Sequence, residues 1–226
     1  MPLPEWLQER QYATPYHWRQ APNDEREYQL RTQLVLRLAQ ISGSPDASFI
    51  KPRLLDIGCG DARFTADAAL HARVVGVDVS RRALGYARDL APMARFAASD
   101  GAALPFASGG FDVVTMLDVI EHVPDADERR VVAEAIRVLR RGGRLVISTN
   151  TDRSACELKH YRHYSLARFR SLFDRLTRVD VAGLIPYFPT LKVWMAAPVV
   201  WRLTSSRIRT CPPEEAHVVV GGATKP

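Results

Sequence analysis

Residues 54–64 read Leu-Leu-Asp-Ile-Gly-Cys-Gly-Asp-Ala-Arg-Phe. The run 53–57 is mostly apolar and predicts a buried strand of a parallel sheet, where both faces are covered. A helical pattern begins near Arg63. Between them stand Gly58, Cys59 and Gly60. Glycine has no Cβ, so the chain can turn sharply there and let a ligand approach its backbone. The helix that follows offers unpaired N–H groups to that ligand. A strand, a glycine turn and a helix in this order form the nucleotide-cofactor unit of doubly wound α/β folds.

The dinucleotide fingerprint requires G-x-G-x-x-G or G-x-G-x-x-A. Arg63 occupies its third position, so a nicotinamide cofactor is disfavoured. The spacing is instead G-x-G-x-A, ending on Ala62, with Asp56 inside the strand. Residues 74–78 predict a second strand ending in Asp78, 22 residues beyond Asp56. A carboxylate there can accept from both hydroxyls of a ribose. Residues 96–101 predict a third strand running into Ser99, Asp100 and Gly101. Residues 111–117 predict a fourth, ending on Leu117 and followed by Asp-Val-Ile-Glu-His-Val at 118–123. Residues 139–148 read as a helix end, a Gly142-Gly143 turn and a fifth strand.

These motifs, in this order, resemble class I S-adenosylmethionine (SAM) methyltransferases, whose first motif is usually written D-x-G-x-G-x-G. Ala62 replaces the third glycine, a small-for-small change expected to cost little. Leu104-Pro105-Phe106 and the Val-Ile-Glu-His-Val run narrow the resemblance to the ubiquinone-biosynthesis O-methyltransferase-like (methyltransferase type 11) group. The resemblance implies an α/β, Rossmann-like sheet of seven strands in the order 3-2-1-4-5-7-6. Its last strand is antiparallel, and helices cover both faces. It also implies SAM as cofactor and S-adenosylhomocysteine as product. The methionine part would lie over Gly58, Cys59 and Gly60, with Asp56 ordering the turn or meeting the amino group. Asp78 would hold the ribose, Val79 would cover the adenine face, and Ser99, Asp100 and Gly101 would meet its edge. Leu117 would line the same cleft.

Composition sets outer bounds. The chain has 226 residues, a formal net charge of +6 and a pI near 9.5. The basic residues are dispersed, as in Arg129-Arg130 and Arg140-Arg141, so no specific nucleic-acid partner is expected. Three scattered cysteines, Cys59, Cys156 and Cys211, fit a reduced compartment rather than a disulfide framework. With no signal-peptide pattern and no apolar stretch of membrane-spanning length, a cytoplasmic protein is expected.

Two parts are expected along the chain. Residues 1–50 form an N-terminal cap and helix: aromatics up to Trp18, then a helix over 24–41 with Asp24 as its N-cap. Residues 51–226 form the methyltransferase domain. A helix starts at Ser165 and runs to about 176. Strand six covers 178–183, and the last strand covers 217–224. Between those strands lies an apolar insertion at about 184–216, where a hairpin loop of roughly 2–5 residues is usual. It carries Tyr187 and Trp194 and reads as a surface helix or a substrate lid. With Lys192, Arg202, Arg207 and Arg209 beside its aromatics, 184–209 also reads as a peripheral membrane or lipid contact.

Two histidine clusters carry the acceptor-side chemistry. His122 is the leading general base, because an unperturbed imidazole titrates near neutrality. Its competing reading is a helix-start residue that orders the site. His160-Tyr161-Arg162-His163-Tyr164-Ser165 supplies the alternative, with His163 or His160 as base or acceptor contact. Tyr16, Glu121, His160, Tyr187 and Trp194 are the candidate substrate contacts. Glu121, His122, His160 and His163 could gather a divalent ion, but neither cluster has metal-ligand spacing, so no metal is assigned. The expected partner is a small-molecule acceptor methylated on an oxygen of an aromatic or lipid-like metabolite. A methyltransferase of RNA or protein and a non-catalytic SAM-binding protein are the alternatives.

Overall fold

The computed structural model describes residues 12–15, 17–19, 22–41, 51–154, 160–187 and 207–226. Among the described residues, five α-helices and eight strands follow in this order: α1 Pro22–Leu38, β1 Arg53–Ile57, α2 Arg63–Ala69, β2 Arg73–Asp78, α3 Arg81–Leu90, β3 Arg95–Ala98, β4 Phe111–Leu117, α4 Glu128–Val138, β5 Leu139–Asn150, α5 Leu166–Ser171, β6 Thr177–Tyr187, β7 Arg207–Cys211 and β8 Val218–Thr224. One sheet holds all eight strands in the order β3-β2-β1-β4-β5-β8-β6-β7. β1 to β5 pair in parallel, and β8 runs antiparallel to both β5 and β6.

Apolar residues alternate across this sheet. Leu55 and Ile57 of β1 face a cluster built from Val131, Ala135, Phe169 and Phe173. Leu54 faces the other side, against Leu34, Val35, Leu38 and Ala68. Each face is thus covered by helices, as a parallel sheet requires. Arg144 of β5 is buried and ties α1 to the sheet, its Nε donating to the Leu38 carbonyl at 2.9 Å and its Nη1 to Thr224 Oγ1 at 3.0 Å.

Several expectations need correction. The sheet has eight strands, not seven, because both ends of the insertion extend it. β6 continues past 183 to Tyr187, and β7 pairs back on it from Gly183↔Cys211 to Tyr187↔Arg207. The antiparallel strand expected as the seventh is therefore the eighth, and the core order is otherwise kept. Insertion residues 188–206, with Trp194, lie outside the described residues, as does Tyr16. α1 starts at Pro22, so Asp24 lies inside its first turn rather than before it. α5 is shorter than expected and ends at Ser171, though Ser165 does cap it, accepting from the Arg168 N–H at 3.3 Å. The two glycines near the start of β5 sit within the strand rather than before it. They form a bulge where the register shifts between Phe111 and Val113, with Gly142 at φ +71°.

Candidate active site

The turns after β1, β2, β3, β4 and β5 converge at the carboxyl ends of the parallel strands, where open α/β sheets bind ligands. The first turn folds back over β2: the N–H groups of Gly58 and Cys59 both donate to the Val77 carbonyl, at 2.7 and 3.0 Å. Gly58 (φ +71°) and Gly60 (φ +54°) hold left-handed conformations. A Cβ on Gly58 would collide with Val119 Cγ2, and one on Gly60 would stand 2.7 Å from the Tyr12 hydroxyl. Ala62 is also left-handed (φ +66°) and buried against Ala87 and Ala91. Its replacement of glycine therefore carries backbone strain of about 1–2 kcal/mol, offset by its buried methyl.

Asp56 faces inward. Thr65 Oγ1 donates to its Oδ2 at 2.6 Å and Thr115 Oγ1 to its Oδ1 at 2.8 Å, tying α2 and β4 to the base of the turn. Burial pushes its carboxyl up to about 6, against the pull of both hydroxyls. Asp78 spans two turns, accepting from the Gly60 N–H at 2.9 Å and the Ser80 N–H at 2.8 Å. Val79 is exposed at the mouth of the cleft. Asp100 Oδ1 accepts from the Ala102 N–H at 2.8 Å, Ser99 and Gly101 flank it, and Leu117 ends β4 partly buried. Cys59 is buried, which pushes its thiol well up and makes it a packing group rather than a nucleophile.

The N-terminal segment lies against this turn. His17 donates its N–H to Asp61 Oδ2 at 2.8 Å and holds Asp61 Oδ1 through its ring at 2.7 Å. Trp18 Nε1 donates to the Asp61 carbonyl at 2.9 Å. Tyr86 reaches the Ala13 carbonyl at 3.2 Å. Sequence reasoning missed Asp61 as an anchor, since its partner is 44 positions away.

Glu121 and His122 stand in a 3-10 turn, Ile120–His122, directly after β4. The loop after β5 is pinned against that turn: the Tyr161 N–H donates to the Glu121 carbonyl at 2.8 Å, and Arg162 Nη1 donates to the Ile120 carbonyl at 2.9 Å. This clamp sets the His160 ring edge-on to His122, with centroids 4.7 Å apart. One ligand atom from each of Glu121, His122 and His160 lies within 4.8 Å of the other two. The fold thereby builds the spacing that neither sequence cluster has alone, a donor set able to hold a divalent ion. His163 stands behind His160, its Nε2 at 2.7 Å from His160 Nδ1. Tyr187 ends β6, where it pairs with Arg207 of β7.

Glu121 is fully buried. Its carboxyl oxygens accept from Thr149 Oγ1 at 3.0 Å and Asn150 Nδ2 at 3.3 Å. Burial, with the Asp118 charge, pushes it up to about 8. Asp118 shifts the other way: burial works against it, but Arg31 and the Ser148 hydroxyl hold its carboxyl below the usual range. Two neighbouring carboxyls are thus driven apart, a pattern typical of functional sites.

A parallel sheet core whose first turn is built on glycines, beside an acid at the end of β2, defines a nucleotide-cofactor domain of the doubly wound α/β type. Residues 55–147 match the family model described as "Methyltransferase domain". Over 117 residues it is 36% identical to a ubiquinone biosynthesis O-methyltransferase of Aromatoleum aromaticum, covering 46% of each chain. Over 104 residues it is 38% identical to the methyltransferase GfsG of Streptomyces halstedii, covering 42% of this chain and 37% of the relative. The chain thus spans less than half the length of these curated relatives. The N-methyltransferase NodS of Bradyrhizobium japonicum, solved with S-adenosylhomocysteine, shares the fold at TM-score 0.69 and 21% identity, with 98% of this chain and 97% of that chain covered. Among the described residues no helix is long and apolar enough to cross a membrane.

Proposed function

We propose that this protein transfers the methyl group of SAM to an oxygen of a small aromatic or lipid-like acceptor in the cytoplasm. The observation that carries the reading is the cluster of Glu121, His122 and His160 on the turn after β4, the turn whose Val119 stands against Gly58. The O-methyltransferase named among its relatives supports oxygen as the reacting atom.

When bound, SAM supplies a methyl already activated by a sulfonium, so the protein's work is alignment, water exclusion and proton removal. Gly58 and Gly60 leave room for the methionine part, Asp78 accepts from the ribose, Val79 covers the adenine and Asp100 meets its edge. Asp56 braces the turn from behind. The Glu121–His122–His160 cluster receives the acceptor hydroxyl. The described part of the N-terminal segment serves as the cap, with His17 and Tyr12 over Gly60.

A second reading places a divalent cation on Glu121, His122 and His160, favoured by their mutual reach. It would lower the pKa of the acceptor hydroxyl. Chelated protein titrated with magnesium, manganese or zinc alone tests it by a saturable gain in melting temperature, which removal of His160 abolishes.

Methyl-labelled SAM incubated with the protein and host lysate tests the main reading. Label in the organic extract supports it. Label only in precipitated RNA or protein overturns the small-molecule acceptor.

A further inference from the structure

A chain of hydrogen bonds behind the cluster determines where one proton sits. The Ser154 carbonyl oxygen can only accept. His163 Nδ1 lies 3.1 Å from it, so Nδ1 carries the His163 proton. A neutral imidazole has one N–H, so His163 Nε2 is then a bare acceptor. His160 Nδ1 lies 2.7 Å from that nitrogen and must be the donor. Its own single proton is therefore on Nδ1, and its Nε2 is unprotonated. A free histidine side chain favours the opposite form, with the proton on Nε2.

The starting point of this chain is well held. The Ser154 N–H donates to the Thr151 carbonyl at 3.0 Å, and its hydroxyl donates to the His217 carbonyl at 3.0 Å. The Thr151 N–H in turn donates to the same His217 carbonyl at 2.9 Å. His160 is held from the other side by the clamp of Tyr161 and Arg162 on the turn after β4. Because Nδ1 is committed to His163, Nε2 is the ring nitrogen that His160 can offer to the Glu121–His122 cluster.

We infer that His163 is a positioning residue that fixes His160 in its Nδ1–H form, so that His160 Nε2 takes the proton of the acceptor. This rests on the methyl-transfer reading only in its second half. The step balances: the acceptor oxygen bonds the methyl carbon, the carbon–sulfur bond breaks with its electron pair going to sulfur, and the hydroxyl proton passes to His160 Nε2. The resulting imidazolium is stabilised by its Nδ1–H bond to His163, and the proton leaves to water on turnover. His163 thereby moves from a candidate base to the group behind the base.

The test is the 15N spectrum of the labelled full chain, recorded where its histidines are neutral, with His160 assigned by its loss in His160→Gln. The expected spectrum shows a protonated Nδ1 and a pyridine-type Nε2 for His160. In His163→Leu the acceptor is gone and His160 should revert to Nε2–H. In His163→Gln the amide oxygen can accept from Nδ1 and should restore the wild-type form. Label transfer from SAM to the organic extract of lysate should fall about 10–100-fold in His163→Leu, the usual effect of losing such an outer partner, and recover in His163→Gln. Binding of S-adenosylhomocysteine should be the same in all three, which controls for folding. An Nε2–H form in the wild type, or an unchanged tautomer in His163→Leu, overturns the inference. The expected tautomer in a protein that labels nothing would support the positioning role and remove the methyl-transfer reading instead.

Discussion

Replacing Glu121 by glutamine should stabilise the protein, and more so as pH rises. The carboxyl is fully buried and its ordinary value of 4.5 is raised to about 8 in the fold. The folded chain therefore keeps a proton that the unfolded chain releases above about pH 4.5. Stability conferred by the protonated form is complete below that value, and it falls by about 1.4 kcal/mol per pH unit until the folded group titrates near 8. At neutral pH the accumulated loss is on the order of 3 kcal/mol. Glutamine keeps the shape and an oxygen for Thr149, and the Asn150 amide can flip to present its own oxygen. Urea melts of both proteins, in chelator-treated buffer at about pH 5 and about pH 8, measure the difference. The variant should match the wild type near pH 5 and exceed it by roughly 2–4 kcal/mol near pH 8. A difference that does not grow with pH would refute the reasoning and mean that Glu121 is ionised in the fold.

Three further outcomes follow from the glycine turn and its anchor. Gly60→Ala combines a left-handed φ with a Cβ placed 2.7 Å from the Tyr12 hydroxyl. By calorimetry it should lower SAM affinity more than tenfold while the fold persists; unchanged affinity would disconnect the turn from the cofactor. Ala62→Gly relieves about 1–2 kcal/mol of strain and loses a buried methyl of about 1 kcal/mol plus chain entropy. Its stability should lie within about 1 kcal/mol of wild type by thermal melting, so a larger drop would mean the methyl dominates. Asp61→Ala removes the acceptor of both His17 contacts. Amide exchange at residues 12–19 should speed up and stability fall by about 1–3 kcal/mol, whereas unchanged exchange would show the segment is held elsewhere.

The parallel core could be read from the sequence because its signals are local. Arg53–Ile57 and Phe111–Leu117 match their expected limits, since each apolar run is bounded by polar or glycine residues. Signals that depend on distant partners could not be read. The edge strand Arg207–Cys211 exists through its pairing with β6, and nothing in its own residues separates it from the insertion. The meeting of Glu121 and His122 with His160 depends on Arg162 reaching the Ile120 carbonyl, 42 positions away. The positive φ of Ala62 and Asp118 is likewise imposed by surroundings, because neither residue prefers it strongly enough to announce it.

β8 lies between β5 and β6, and both of these are synthesised before it. On the ribosome the sheet cannot close in chain order. The edge of β5 that will receive β8 stays open while the following residues are made, and β6 has no sheet to join until residues 218–224 emerge. At roughly 5–20 residues per second the interval from Tyr187 to Thr224 lasts a few seconds. Throughout it an apolar strand edge including Val146 and Ile147 is available to any other chain with an unpaired strand. Expression yield should therefore respond to translation rate and to holding chaperones, even in variants whose finished fold is as stable as the wild type.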